Sequence, residues 1–134
     1  MRKIILPLLL TFMSSGASAA WVQIGSNADF NSYTDPTTLR KEGIQAMEGS
    51  KAKLLSLVDY TTVLTKSGKS IASMKALHEF NCRQVQVRML YSTTYSGHMG
   101  TGNEVEGKFQ PENWRPIPMH STEESLWKVA CGKS

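Results

Sequence analysis

Long apolar runs are scarce in this chain of 134 residues. The one present, Ile4 to Met13, follows a basic start, Met1-Arg2-Lys3, and precedes Ala17-Ser18-Ala19, the small-x-small pattern that a signal peptidase reads. About ten apolar residues cannot cross a hydrocarbon core of roughly 30 Å as a helix, so the run reads as a secretory signal and not as a membrane span. The expected signal is residues 1–19, and no cysteine stands at its end to accept a lipid anchor. Charge of one sign is also in short supply. Losing Arg2 and Lys3 with the signal lowers the formal charge by two, from +4 to +2. So small a surplus does not argue for nucleic acid or an anionic membrane as partner. Residues 20–134 then form one small exported domain, with no repeat, low-complexity tract or linker to divide it.

Chemistry-bearing patterns are equally sparse. The histidines His78, His98 and His120 share no i, i+4 spacing, and with only two cysteines no zinc pattern forms. Each histidine reads as a surface or edge residue. Gly68-Lys69-Ser70 has the end of a phosphate loop, but Val63 stands where the upstream glycine belongs. Gly97-His98-Met99-Gly100-Thr101-Gly102 lacks the dinucleotide spacing and reads as a flexible connection. There is no Gly-x-Ser-x-Gly elbow. Glu104 and Glu106 are expected on a solvated loop. Asp59, between Val58 and Tyr60, is the most unusual acid: a perturbed functional carboxylate or, more simply, an acid bonded to the backbone of a turn. No reaction and no cofactor is indicated.

The two cysteines, Cys82 and Cys131, both lie beyond the signal. Two thiols in an exported chain usually pair, and closing a loop of about 50 residues is worth roughly 4 kcal/mol in the chain-entropy picture; two free buried thiols are the alternative. Trp21 to Ile24 and Phe30 to Thr34 read as short strands, with Asp35-Pro36 opening a single helical turn. Gly43 to Ser50 reads as a loop or one turn. Ala52 to Val63 and Ile71 to Asn81 read as strands, joined by a turn at Ser67-Gly68-Lys69. Val85, Val87, Met89 and Tyr91 alternate with polar residues, the strongest period-two signal present. Phe80 and Cys82 fall on the opposite parity, which calls for a bulge near Arg83 or for two covered faces. A last strand is expected around Asn113 to Ile117. Ser121-Thr122-Glu123-Glu124 is a capping box that starts a helix, with Gly132 ending it.

Binding candidates are few. Trp21, Trp114 and Trp127 lie on separate elements and read as packing residues. Lys75, Arg83 and Arg88 could form a thin basic strip across neighbouring strands, although a solvated polar face gives the same pattern.

The order of blocks is more telling than any one of them. Trp21-Val22-Gln23-Ile24-Gly25 is followed by Tyr33-Thr34-Asp35-Pro36, Leu57-Val58-Asp59-Tyr60 and Glu79-Phe80-Asn81-Cys82. Then come Tyr95-Ser96-Gly97-His98-Met99-Gly100-Thr101-Gly102, Trp114-Arg115-Pro116-Ile117-Pro118 and Leu126-Trp127-Lys128-Val129-Ala130-Cys131-Gly132. Over residues 20–134 this resembles the surface-adhesin protein E-like family of Gram-negative bacteria. The resemblance implies an α+β fold: one antiparallel sheet of about six strands, with a C-terminal helix on its concave face tied by a disulfide between Cys82 and Cys131. It further implies that Phe80 and Cys82 face the helix while Val85, Val87 and Met89 face away. A partner subunit would then cover the outward face, making a homodimer. The name-giving adhesin binds host extracellular-matrix and serum proteins, among them vitronectin, laminin and plasminogen. The chain departs from the family in lacking a lipid-acceptor cysteine. Residues 43–48 also look inserted, and Leu55 stands where an aromatic is frequent.

The expectation is therefore a non-enzymatic protein-binding module, periplasmic or secreted, with surface display left open. The alternative is an envelope structural or assembly subunit acting by self-association. A small hydrolase built on Asp59 and the histidines is a third reading.

Overall fold

A computed structural model describes residues 20–42 and 50–133; the proposed signal and the segment 43–49 lie outside the described residues. Six strands form an antiparallel meander in chain order: β1 (Val22–Ser26), β2 (Phe30–Glu42), β3 (Lys51–Lys66), β4 (Lys69–Asn81), β5 (Gln86–Tyr95) and β6 (Glu104–Lys108). A two-residue strand, β7 (Arg115–Pro116), pairs with the start of β5 and makes the sheet seven-stranded. One helix, α1 (Thr122–Cys131), lies on the sheet.

The helix forms where its capping chemistry places it. Ser121 Oγ accepts from the backbone N–H of Glu124 at 3.1 Å, and Gly132 closes the last turn in the left-handed conformation at φ 65°. Leu126 and Ala130, four apart, point down onto Ala52, Leu54, Phe80 and Val87, and all six are fully buried. Cys82 and Cys131 are bonded at an S–S distance of 2.00 Å, fixing the helix end to the turn after β4. Ten helical residues span about 15 Å, whereas the 16 residues of β3 run for about 50 Å. The helix therefore covers only one end of its face. Beyond its N-terminus an open apolar cleft of about 160 Å³ is lined by Phe30, Val58, Met74 and Met89, among others.

Several sequence expectations are corrected. Val87 and Met89 face the helix side, not away from it. Asn81 pairs with Gln86, so Phe80 lies directly opposite Val87 and His78 opposite Met89, on one face. Residue parity does not carry across the turn at 82–85. The irregularity in this hairpin is not near Arg83 but between Met89 and Tyr91, where Leu90 is the extra residue.

Asp35-Pro36 does not start a helical turn; it is a bend within β2. Asp35 Oδ1 accepts from Thr37 N–H at 3.0 Å and from its hydroxyl at 2.6 Å. Thr38 Oγ1 then stands in for the interrupted ladder, donating to Asp35 O at 2.6 Å and accepting from Leu55 N–H at 3.0 Å. Finally, Glu104 and Glu106 belong to strand β6 rather than a loop, and the expected strand at 113–117 shrinks to Arg115–Pro116.

His78 is also corrected: it is 6% exposed, under the helix. The Ser56 hydroxyl donates to Ala76 O at 3.2 Å, so its oxygen accepts from His78 Nδ1–H at 3.1 Å. Burial pushes the imidazole down to about 4, a shift that nearby Glu123 opposes and Arg115 reinforces. Above the helix floor, Arg115 Nη2 reaches Glu123 Oε1 at 3.0 Å.

Candidate functional site

The sheet face turned away from the helix carries the unusual side chains. Strand alternation and register define it: Arg40, Lys53, Glu79 and Arg88 form one cross-strand row, Asp35, Leu55, Leu77 and Tyr91 the next, and Tyr33, Leu57, Lys75 and Thr93 a third. Two stations of cations on aromatic rings stand on this face.

At one station Trp114 is flanked by two cations. Arg88 Cζ lies 4.7 Å from its ring centroid and Lys51 Nζ 5.7 Å. Arg88 is held there by Glu79, whose Oε1 accepts from Nε and lies 2.7 Å from Nη2. Beside them Lys53 pairs with Glu42 at 2.8 Å; this hydrogen bond lowers the Glu42 carboxyl and raises the Lys53 ammonium from their ordinary values.

At the second station Lys75 points between Trp21 and Tyr95, with Nζ 6.0 and 5.1 Å from the two ring centroids. Its stem runs close to Gly100, at φ +70°. A side-chain carbon on that residue would crowd the flexible end of Lys75, while the left-handed backbone itself calls for glycine. Burial, reinforced by Glu104 and Tyr91, holds the Tyr95 phenol above its ordinary value.

The glycine-rich connection 97–102 is a clasp on this face, with a 3₁₀ turn at His98–Gly100. Ser73 Oγ donates to Gly97 O at 2.6 Å and accepts from Gly100 N–H at 2.8 Å. Asp59 Oδ1 accepts from Met99 N–H at 2.8 Å and lies 3.1 Å from His98 Nδ1. Asp59 is thus the anchor of a turn, and that bonding explains an acid within an apolar strand. Among the described residues no His, Cys, Asp and Glu side chains gather as a metal-binding group, and no helix is long and apolar enough to cross a membrane.

The structure therefore brings Lys75 and Arg88 to one face, while Arg83 sits in the turn at 82–85 at its end. Trp127 packs against the core as expected. Trp21 and Trp114 do not; each lies beside cations on the open face. Lys51 and Tyr95 complete the stations and had no local signal, because β-pairing brings them there from distant parts of the chain. The face is also displayed: Tyr91 is 38% exposed and the neighbouring Phe109 ring 72% exposed, at 6.4 Å between centroids.

None of the curated proteins matches this chain in sequence. Among solved structures, crystal form II of Haemophilus influenzae protein E superposes with a TM-score of 0.66 at 13% identity, over 86% of this chain and 89% of that one. Protein E from non-typeable Haemophilus influenzae gives 0.61 at 14% identity, over 88% and 79% of the two chains. At such identity the likeness shows a shared fold and nothing finer. The profile of the family described as surface-adhesin protein E matches residues 21–132, so the chain belongs to the surface-adhesin protein E family.

Proposed function

We propose that this chain is an exported, non-enzymatic adhesion module that holds a protein partner on the sheet face opposite the helix. Host extracellular-matrix or serum proteins are the partner class that family membership supports. The observation that carries the reading is the placement of the aromatic and cationic residues. Trp21, Tyr91, Tyr95 and Trp114 lie with Lys51, Lys75 and Arg88 on the face opposite the helix. Trp, Tyr and Arg are the residues that dominate binding energy at interfaces. They sit here on a hydrogen-bonded sheet that loses little entropy on binding.

The test is saturable binding of the purified domain 20–134 to immobilised vitronectin and laminin at micromolar concentration. Arg88→Ala is expected to weaken it. Absence of saturable binding to matrix and serum proteins overturns the reading. Cleavage by protease added to whole cells distinguishes surface display from a periplasmic location.

The open apolar cleft of Phe30, Val58, Met74 and Met89 beyond the helix favours a second reading, an envelope assembly subunit that self-associates. Light scattering over a concentration series tests it: a strictly monomeric domain removes it.

A further inference from the structure

We propose that the two cation-on-aromatic stations bind a linear anionic polysaccharide, so that the ligand on a matrix partner is its sulfated or carboxylated glycan chain. This rests on the adhesion reading and specifies the chemistry of its face.

Two lysines carry the inference. Lys51 and Lys75 each lie over aromatic rings, and no carboxylate among the described residues comes within 4.0 Å of either ammonium. The other cations named on the face are already engaged, Arg88 by Glu79, Lys53 by Glu42 and Arg40 by the backbone carbonyls of Thr37 and Leu39. The two lysines are thus the charges on this face with capacity for an external anion. Both ammonium groups rest against rings: Lys75 beside Trp21 and Tyr95, Lys51 over Trp114. A pre-placed ammonium needs less ordering on binding than a free one.

Spacing and the nature of the rings select the ligand. Lys75 and Asn81, the cross-strand partner of Lys51, are six residues apart on β4, about 20 Å along the strand. A single small anion cannot reach both stations, but an extended polyanion can. A polysaccharide alternates anionic groups with apolar C–H faces of its sugar rings. Those faces match Trp21, Tyr95 and Trp114, while the anions match the lysines beside them. An acidic peptide is a poorer fit. Peptides gain affinity by pairing with an exposed strand edge, and the stations lie across the face of central strands whose backbone groups are already paired.

The experiment measures binding of domain 20–134 to heparin-derived oligosaccharides of increasing length and to hyaluronan fragments. The first carry sulfate, the second carboxylate alone. Comparison chains are poly-glutamate and a Lys51→Gln/Lys75→Gln variant. A Lys108→Gln/Lys128→Gln variant, altered away from the stations, removes the same charge. Affinity is expected to rise with chain length for at least one glycan, and to fall about tenfold in Lys51→Gln/Lys75→Gln but not in the control. Equal losses in both variants, equal binding of poly-glutamate, or no glycan binding each overturn the proposal. A matrix protein stripped of its glycans separates the two readings. Unchanged binding to it, insensitive to Lys51→Gln/Lys75→Gln, refutes the glycan site and leaves the adhesion reading standing.

Discussion

His78 makes the stability of this domain depend on pH in a defined direction. It is almost fully buried beneath α1, hydrogen-bonded through Nδ1 to Ser56, stacked on Phe80 at 6.1 Å between centroids and paired in register with Met89. The charged groups that act on it are Glu123 from the helix and Arg115 from β7. Its pKa falls from 6.5 to about 4, with burial as the first cause. In that interval the unfolded chain takes up a proton that the folded chain refuses, so stability rises with pH there and is lost as pH falls through it. The full loss below pH 4 is about 3 kcal/mol, and roughly 2 kcal/mol of it falls between pH 7 and pH 5. Burial raises the Glu123 carboxyl, but its own backbone N–H and the Arg115 guanidinium outweigh this and hold it below its ordinary value. Urea unfolding followed by tryptophan fluorescence at pH 7, 6 and 5 reads the effect directly. The disulfide-bonded protein is expected to lose about 2 kcal/mol across that range, whereas His78→Gln, unable to titrate, shows a much flatter dependence. Parallel pH curves for the two proteins would refute the reasoning, as would a His78 ring titrating near 6.5 by NMR.

Other perturbations have expected sizes. Cys82→Ser/Cys131→Ser releases a closure of 49 residues and is expected to lower unfolding free energy by about 4 kcal/mol in urea titration; a loss under about 1 kcal/mol contradicts the role given to the bridge. Phe80→Ala empties the centre of the helix-side core and is expected to cost about 3 to 5 kcal/mol in the same assay, since the sheet cannot collapse onto the space. Ser121→Ala removes the oxygen that accepts from Glu124 N–H and is expected to cost about 1 kcal/mol, with helix fraying visible in amide exchange of residues 122–124.

How much of this was legible in the sequence depends on where the signal resides. The helix was readable because its cap, apolar pair and terminal glycine are all local. β3 and β4 were readable as runs of apolar and β-branched residues, and β5 through its period-two stretch. β6 was not, because Glu104-Val105-Glu106-Gly107-Lys108 is an edge strand with one apolar residue, and a strand that buries little shows no hydrophobic period. Asp35-Pro36 misled because an aspartate that caps a helix accepts the same N–H two residues on when it stitches a bend. Val87 was placed on the wrong face because the register of a hairpin is set by its turn, here the four residues 82–85, and not by counting along the chain. The candidate face was half readable. Lys75 and Arg88 stood out as cations in strands, but their aromatic partners come from sequence positions as far apart as Trp21 and Trp114. Only the completed sheet brings these together.

The bridge between Cys82 and Cys131 has a mechanical meaning for a module that holds on to something. A pull applied between the N-terminal strand and the C-terminus enters the fold at two points: the free edge β1 and, through sulfur, the turn after β4. The 49 residues of sequence between the cysteines are bypassed and cannot pay out, which hides about 170 Å of contour length from the load. Under tension the first half of the meander would peel from its edge, while β5, β6, β7 and the helix stay locked in a closed loop. One covalent bond thus divides the domain into a segment that can extend and a segment that cannot.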